Sequence, residues 1–177
     1  MKNLSRNEAL TLSSPHPYVI ATMLDPKGKP NGIGLGWWTF VSWEPLIVAI
    51  SVGNSRYSYQ CLKACREFVL NFPTEKMAEQ AWVFGTKSGR KVDKFALTKL
   101  ATIPANTVKP PVIEGVTCAF ECQVINEVEA GDHTVFFGKV TSMHGDPKNK
   151  LHLYSIHYEK LVALDCEGRF LFNPKQE

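Results

Sequence analysis

Two stretches carry the residue types that chemistry needs. In the first, Gly32, Gly34 and Gly36 alternate and lead directly into Trp37-Trp38-Thr39-Phe40. A strand face without side chains lets a backbone or a ligand come close, and the aromatic run offers flat surfaces to a planar ring. The second stretch is Ser51-Val52-Gly53-Asn54-Ser55-Arg56-Tyr57-Ser58, at the start of an expected helix. A helix N-terminus with unpaired N–H groups, two hydroxyls and an arginine suits a phosphate. The same residues also describe a plain capped helix with a solvated arginine, and residue types alone leave both readings open.

Other nucleotide signatures fail on spacing. The Gly32-x-Gly34 pair has Trp37 where a dinucleotide fingerprint needs its third glycine, and no helix follows. Residues 85–91, Gly-Thr-Lys-Ser-Gly-Arg-Lys, resemble a phosphate loop in composition only. Cys61/Cys65 and Cys118/Cys122 are four apart, which puts each pair on one apolar face; they read as buried hydrophobes. The five histidines show no ligand spacing, so no metal is expected.

These stretches need elements to position them. Residues 18–24 read as a buried strand, 25–29 as a turn and 31–36 as a returning strand. An aromatic loop is expected at 37–44, a buried strand at 46–52, and a helix at 55–65 with Ser55 as N-cap. A short strand at 67–72, a helix at 75–84, a polar loop at 85–91 and a helical stretch at 94–100 follow. Pro110-Pro111 keeps 104–111 extended. Two long strands, 117–128 and 133–143, come next. In the first, Cys118, Phe120, Cys122 and Val124 alternate with outward Glu121, Gln123 and Glu127. The tail is ambiguous, with Glu167-Gly168 as a hairpin turn. The pattern is mainly β with short helices, a barrel with helical covers, in one domain over residues 1–177 with its core at about 15–165.

Composition narrows the partners. With 177 residues, 44% hydrophobic and 21% charged, the chain can bury a core without staples. A net charge of +3 with scattered lysines argues against nucleic acid. No signal peptide or membrane-length apolar run is visible, and five cysteines inside regular elements suit a reduced cytoplasmic setting.

Seven pieces in order tie these observations to a family. They are Tyr18-Val19-Ile20-Ala21-Thr22, then Asp25…Gly28…Asn31, Ser42…Pro45 and Ser51…Arg56-Tyr57-Ser58. Glu67-Phe68-Val69-Leu70-Asn71, Ser88-Gly89…Asp93-Lys94-Phe95 and Gly131-Asp132-His133 complete the set. In this the chain resembles the flavin reductase-like family, nearest its flavoredoxin-like members. The resemblance implies an FMN-binding split β-barrel with non-covalent FMN, working as a homodimer whose interface completes the flavin site. It assigns Gly36, Trp37, Trp38 and Thr39 to the isoalloxazine ring, and backbone groups of Ser51, Val52 and Gly53 to the ring or ribityl chain. Arg56, Ser58, Ser88 and Lys94 would hold the phosphate, and His133 would stand on the nicotinamide side. Trp37-Trp38 replace the family's usual smaller polar residues and would narrow the space over the flavin. Tyr57 and Tyr59 read as helix-surface residues.

The function implied is an FMN-dependent oxidoreductase. It would take electrons from NAD(P)H or a protein donor and pass them to a small acceptor such as free flavin, ferric iron or a disulfide. A non-catalytic electron carrier, flavin sensor or storage protein is the alternative. Flavin supplies the redox chemistry itself, and no catalytic triad is visible.

Overall fold

Antiparallel strands dominate the computed structural model, which describes residues 2–157 and 159–164 and the backbone of 170–172. Helix α1 (Arg6–Leu12) is closed by a Ser5/Glu8 capping box and buries none of its residues. Strands β1 (His16–Pro17), β2 (Val19–Leu24) and β3 (Pro30–Leu35) follow. Asp25 holds the β2–β3 turn by accepting the N–H groups of Lys27 and Lys29 at 2.9 Å. Then come β4 (Trp38–Ser42), β5 (Ile47–Gly53), α2 (Tyr57–Cys65) and β6 (Glu67–Phe72). A 3₁₀ turn (Glu75–Met77), α3 (Ala78–Thr86) and α4 (Lys94–Thr98) precede the short pair β7 (Thr102–Ile103) and β8 (Val112–Ile113). The chain continues through β9 (Cys118–Ala130), β10 (His133–Gly145), β11 (His152–Ile156), β12 (Lys160–Leu164) and β13 (Phe170–Phe172).

Seven strands form one antiparallel sheet in the order β3-β2-β6-β9-β10-β5-β4. Its two edge strands, β3 and β4, are consecutive in the chain and separated only by Gly36 and Trp37. Three Cα–Cα steps span at most about 11 Å, so the opposite edges must meet at that end. The sheet therefore rolls into a barrel with a seam at Gly36-Trp37. A second sheet, β1-β11-β12-β13, lies beside it and is tied to it by Tyr18 N–H on Leu153 O at 2.8 Å.

Strand periodicity builds two cores. Val19, Ala21 and Met23 of β2 join Phe68, Leu70, Val52 and Phe136 inside the barrel, which Cys61 and Leu62 of α2 plug. Tyr18, Ile20 and Val69 face the other way and meet Ala81 and Phe84 of α3 and Leu153 of β11. This double burial is why β2 and β6 are buried at nearly every position and mostly apolar. Asn71 lies between the layers; its amide donates to Ile20 O and Val69 O and accepts Ile113 N–H at 2.8 Å, so its burial leaves no polar atom unmet.

Several expectations are corrected. Residues 38–42, read as a loop, are edge strand β4, whose aromatic and β-branched residues pair with β5. Helix α2 starts two residues after Ser55, with Arg56 at its N-cap and no side-chain cap. Helix α3 runs on to Thr86, and α4 stops at Thr98, where Lys99 turns left-handed at φ 56°. Both long strands extend two residues beyond the expected ends, to Ala130 and Gly145. Glu121, read as outward, is fully buried. It accepts the N–H groups of Asn106 and Thr107 at 2.8 and 2.6 Å, so the connection before β8 packs over that strand face. Burial pushes the Glu121 carboxyl up, but the Thr107 hydroxyl and these N–H groups outweigh it and hold the pKa below its ordinary value. The expected Glu167-Gly168 turn lies outside the described residues.

The bare face of β3 meets protein. A Cβ at Gly32 would sit 2.7 Å from the Phe84 ring, and one at Gly34 would collide with Tyr18 Oη and reach 2.9 Å from Gly85 N. Gly34→Ala is expected to lower stability by about 1–3 kcal/mol through overpacking, read as a lower urea midpoint at unchanged slope.

Candidate functional site

The barrel seam opens into a cleft of 370 Å³ walled by β3, the end of β5, the start of α2, and the loop after α3. One end is cationic. Lys94, the first residue of α4, is only 5% exposed and donates from Nζ to Gly32 O at 2.7 Å and Phe84 O at 3.0 Å. Asp93 fixes it there by capping α4 through Ala96 N–H at 3.1 Å while pairing with Lys29 at 2.8 Å. Burial, and secondly the Arg56 charge, push the Lys94 pKa down from 10.5 to about 8. No carboxylate relieves it: the cleft lining holds Arg56, Lys87 and Lys94 and no acidic residue.

Helix α2 begins beside these cations, so its first turn, in which Tyr59 N–H already bonds Arg56 O at 3.2 Å, borders the same corner. Ser58 is buried there, its Oγ accepting Asn31 Nδ2 at 3.3 Å. The loop carrying Ser88 approaches closely because Gly89 packs on Asn31 and on the Tyr57 ring, where a Cβ would be 3.3 Å from Cδ1.

The other end is aromatic. Trp37, at the seam, lies 4.9 Å from the His133 ring, centroid to centroid, at a 37° tilt. His133 opens β10 opposite Gly53, and its Nδ1 is 2.7 Å from Asp132 Oδ1, which leaves Nε2 on the Gly53 side. Asp132 is held below its ordinary pKa mainly by this contact.

The structure gathers Trp37, Ser51, Val52, Gly53, Arg56, Ser58, Ser88, Lys94 and His133 along one cleft. It leaves three expected residues out of the lining. Gly36 belongs to the seam. Trp38 points the opposite way from Trp37, donating Nε1–H to Pro17 O at 3.0 Å and meeting Phe72 edge-on at 5.1 Å. Thr39 is exposed on the edge strand. Trp37 belongs to the seam while Trp38 is the first residue of β4, so the two neighbouring rings meet different surroundings. The cleft also includes Lys87, Phe84, Gly85 and Tyr57. Tyr57 is not a plain helix-surface residue: its Oη donates to Asp25 Oδ2 at 3.1 Å. The only sequence signal for Lys87 was the basic composition of 85–91. Among the described residues no group of three His, Cys, Asp or Glu side chains converges as a metal site.

Comparison with known proteins shows what the chain is similar to. The family model for the flavin reductase like domain matches residues 11–161. The chain belongs to the flavin reductase-like family. An uncharacterized protein of Archaeoglobus fulgidus is 36% identical over 73% of this chain and 75% of its own length. A flavin reductase of Pseudomonas putida is 27% identical over 75% of each chain. Some relatives are longer: the match spans 64% and 48% of proteins from Pyrococcus abyssi and Aeropyrum pernix. Among solved structures, the flavoredoxin of Desulfovibrio vulgaris (Miyazaki F) superposes with TM-score 0.75 at 23% identity, covering 100% of this chain and 95% of that one. An FMN-binding protein from Thermus thermophilus gives 0.76 at 20% identity, with 100% and 96% covered. At such identities these likenesses speak for the fold, which is the split barrel of the flavin reductase-like family.

Lys94 makes the cleft pH-sensitive. Its folded pKa lies below the unfolded value, so the unfolded chain holds more protons between about pH 8 and 10.5. Without a bound anion, stability should therefore rise with pH across that window. Anion affinity should fall as pH passes about 8, since the cation that holds the anion is lost. Melting curves and inorganic phosphate titrations from pH 7 to about 10 check both signs, and Lys94→Gln should flatten both profiles.

Proposed function

We propose that the chain binds FMN in this cleft and works as an FMN-dependent oxidoreductase of the flavin reductase/flavoredoxin type. Electrons would come from NAD(P)H or a protein donor and leave to a small acceptor such as free flavin, ferric iron or a disulfide. The observation that carries the reading is Lys94, a buried cation with two carbonyl partners and no anion. A buried charge is costly unless paired, and a terminal phosphate dianion between Lys94 and Arg56 supplies the missing partner. The opposite end of the cleft, with Trp37 and His133, suits a planar ring. The two ends of the cleft thus match the two ends of FMN.

When bound, FMN supplies hydride and single-electron chemistry. The chain binds and orients it. Arg56, Ser58, Ser88 and Lys94 neutralise and hydrogen-bond the phosphate. Val52 and Gly53 run past the end of β4 and leave a strand edge beside the ring. Asp132 fixes the His133 imidazole with Nε2 on the Gly53 side, and His133 would stand on the nicotinamide side of the flavin. Trp37 restricts water and solute access over the same face.

The proposal includes a homodimer. Edge strand β4 and the turn after it expose Phe40, Val41 and Trp43, the last 87% accessible, next to the seam that forms the cleft. An apolar, unpaired sheet edge is a surface that soluble proteins usually cover, and a two-fold partner there would close the flavin site. We also assign the protein to the cytoplasm, since all four cysteines among the described residues are free thiols. No helix among those residues is long and apolar enough to cross a membrane.

The deciding experiment is reconstitution followed by anaerobic titration. FMN should bind more tightly than FAD, and Arg56→Ala should weaken it about ten- to a hundred-fold, the loss of one charge-assisted contact. NADH or NADPH should then bleach the yellow protein. Bleaching by dithionite but by neither nucleotide would assign the chain as an electron carrier, and FAD outcompeting FMN would sink the phosphate assignment. In light scattering the holoprotein should have twice the chain mass, and Trp43→Lys should shift it towards the monomer.

A further inference from the structure

Asn31 stands behind the cationic corner and does not line the cleft. It is the second residue of β3, paired with Met23 of β2, and is only 6% exposed. Its Nδ2 lies 3.3 Å from Ser58 Oγ, 3.5 Å from Cys61 Sγ and 3.7 Å from Met23 Sδ. The Met23 thioether can only accept, so the amide pole facing these three atoms is the NH₂. Ser58 Oγ is then an acceptor towards Asn31, and its own proton is left for another partner. A serine in a helix often returns that proton to a carbonyl one turn back. Here the Ser58 hydroxyl has no acceptor among the described residues, and Ser58 lines the cleft with Arg56 and Lys94. The other pole of the amide faces the loop after α3, where a Cβ on Gly89 would be 2.2 Å from Asn31 Oδ1. Packing alone would favour an apolar residue beside Met23 and Cys61, since a buried amide is costly unless its hydrogen bonds are made.

We propose that Asn31 is a positioning residue for the anion end of the cleft. Its amide donates to Ser58 Oγ and so directs the Ser58 proton towards a phosphoryl oxygen of the ligand. Asn31 acts through Ser58 and does not touch the anion. The identity of that anion as the FMN phosphate rests on the reading above. Arg56 and Lys94 supply charge, which attracts an anion from any direction. A hydroxyl whose lone pair is already occupied supplies a direction, and it accommodates only an acceptor oxygen. An aspartate at this position would reverse the polarity, because its carboxylate would take the Ser58 proton and leave a lone pair facing the anion. Asn31 is suited to the task because it stands on a regular strand, which holds a supporting side chain more rigidly than a loop does.

A double-mutant cycle separates this role from plain packing. Inorganic phosphate, by calorimetry, and FMN, by flavin fluorescence, are titrated into wild type, Asn31→Leu, Ser58→Ala and the double variant. Ser58→Ala should weaken both ligands about tenfold, the loss of one hydrogen bond to a charged group. Asn31→Leu should weaken them about three- to tenfold by itself, but no more than about twofold once Ser58 is already Ala. Asn31→Asp keeps the side-chain shape and should lose affinity at about pH 8, then recover on acidification as the protonated carboxyl donates to Ser58 Oγ. Taking the ratio to wild type at each pH cancels the titration of the phosphate and of Lys94. An Asn31→Leu loss of the same size with and without the Ser58 hydroxyl overturns the proposal, and so does no loss at all. An Asn31→Asp ratio that stays flat with pH also overturns it, and this arm decides alone if Asn31→Leu does not fold. Wild-type protein that binds neither phosphate nor FMN sinks both readings. Coupling of Asn31 to Ser58 for phosphate, in protein that does not bind FMN, keeps the role of Asn31 and sinks the functional reading.

Discussion

The join of β3 to β4 through Gly36 and Trp37 is the constraint on which the other features depend. A seven-stranded sheet can lie open, but not when its two edges are successive strands with two residues between them. The required rolling makes one interior, filled by alternate residues of β2, β5, β6, β9 and β10, and leaves the complementary faces to a second layer. It also makes a seam, where strand edges diverge and backbone is uncovered. The cleft opens at this seam, and Trp37 lines it because the seam residue has no strand to turn it inward.

Charge is arranged around that opening at a cost to the unliganded protein. Lys94 is buried against carbonyl dipoles at the start of a helix, near a second cation, and its lowered pKa records the penalty. Ordinary core design would use an apolar residue or supply a carboxylate. The chain instead spends acids on positioning: Asp93 orients Lys94 from behind, and Asp25 anchors Tyr57 and the β2–β3 turn. Neither carboxylate lines the cleft, whose lining holds no acidic residue and suits an anion.

Tight packing positions this chemistry. Gly32 and Gly34 let α3 sit directly on β3, so that Phe84 O becomes a partner of Lys94 and the following loop carries Lys87 and Ser88 to the cleft. Tyr18 Oη bonds Ala81 O at 3.0 Å and clamps the same helix from below. On the far side, buried Glu121 and Asn71 secure the connection between α4 and β9 by accepting its N–H groups. Polar groups inside this molecule mostly tie irregular chain to the barrel, while the apolar residues make the barrel itself.

Much of this was legible in the chain. Apolar runs at 18–24 and 67–72, the Asp25–Lys29 turn chemistry and the period of 118–124 specify strands through local sterics and burial, and most elements stand where those signals put them. The serines and arginine at the start of α2 marked one wall of the cleft for the same local reason. Other features depended on contacts distant in sequence. Residues 38–42 became a strand because β5 offered an edge, and Glu121 was buried because a loop some fifteen residues earlier covered it. Trp38 left the site because, as the first residue of β4, it packs against Pro17 O and the Phe72 ring. Lys87 entered because α3 runs to Thr86 and the residues that follow it border the cleft. Residue type and spacing thus determined which segments are strands and which groups carry charge. Which face of each strand meets the cleft, and which charges stand without partners, was decided only by how the sheet closes on itself.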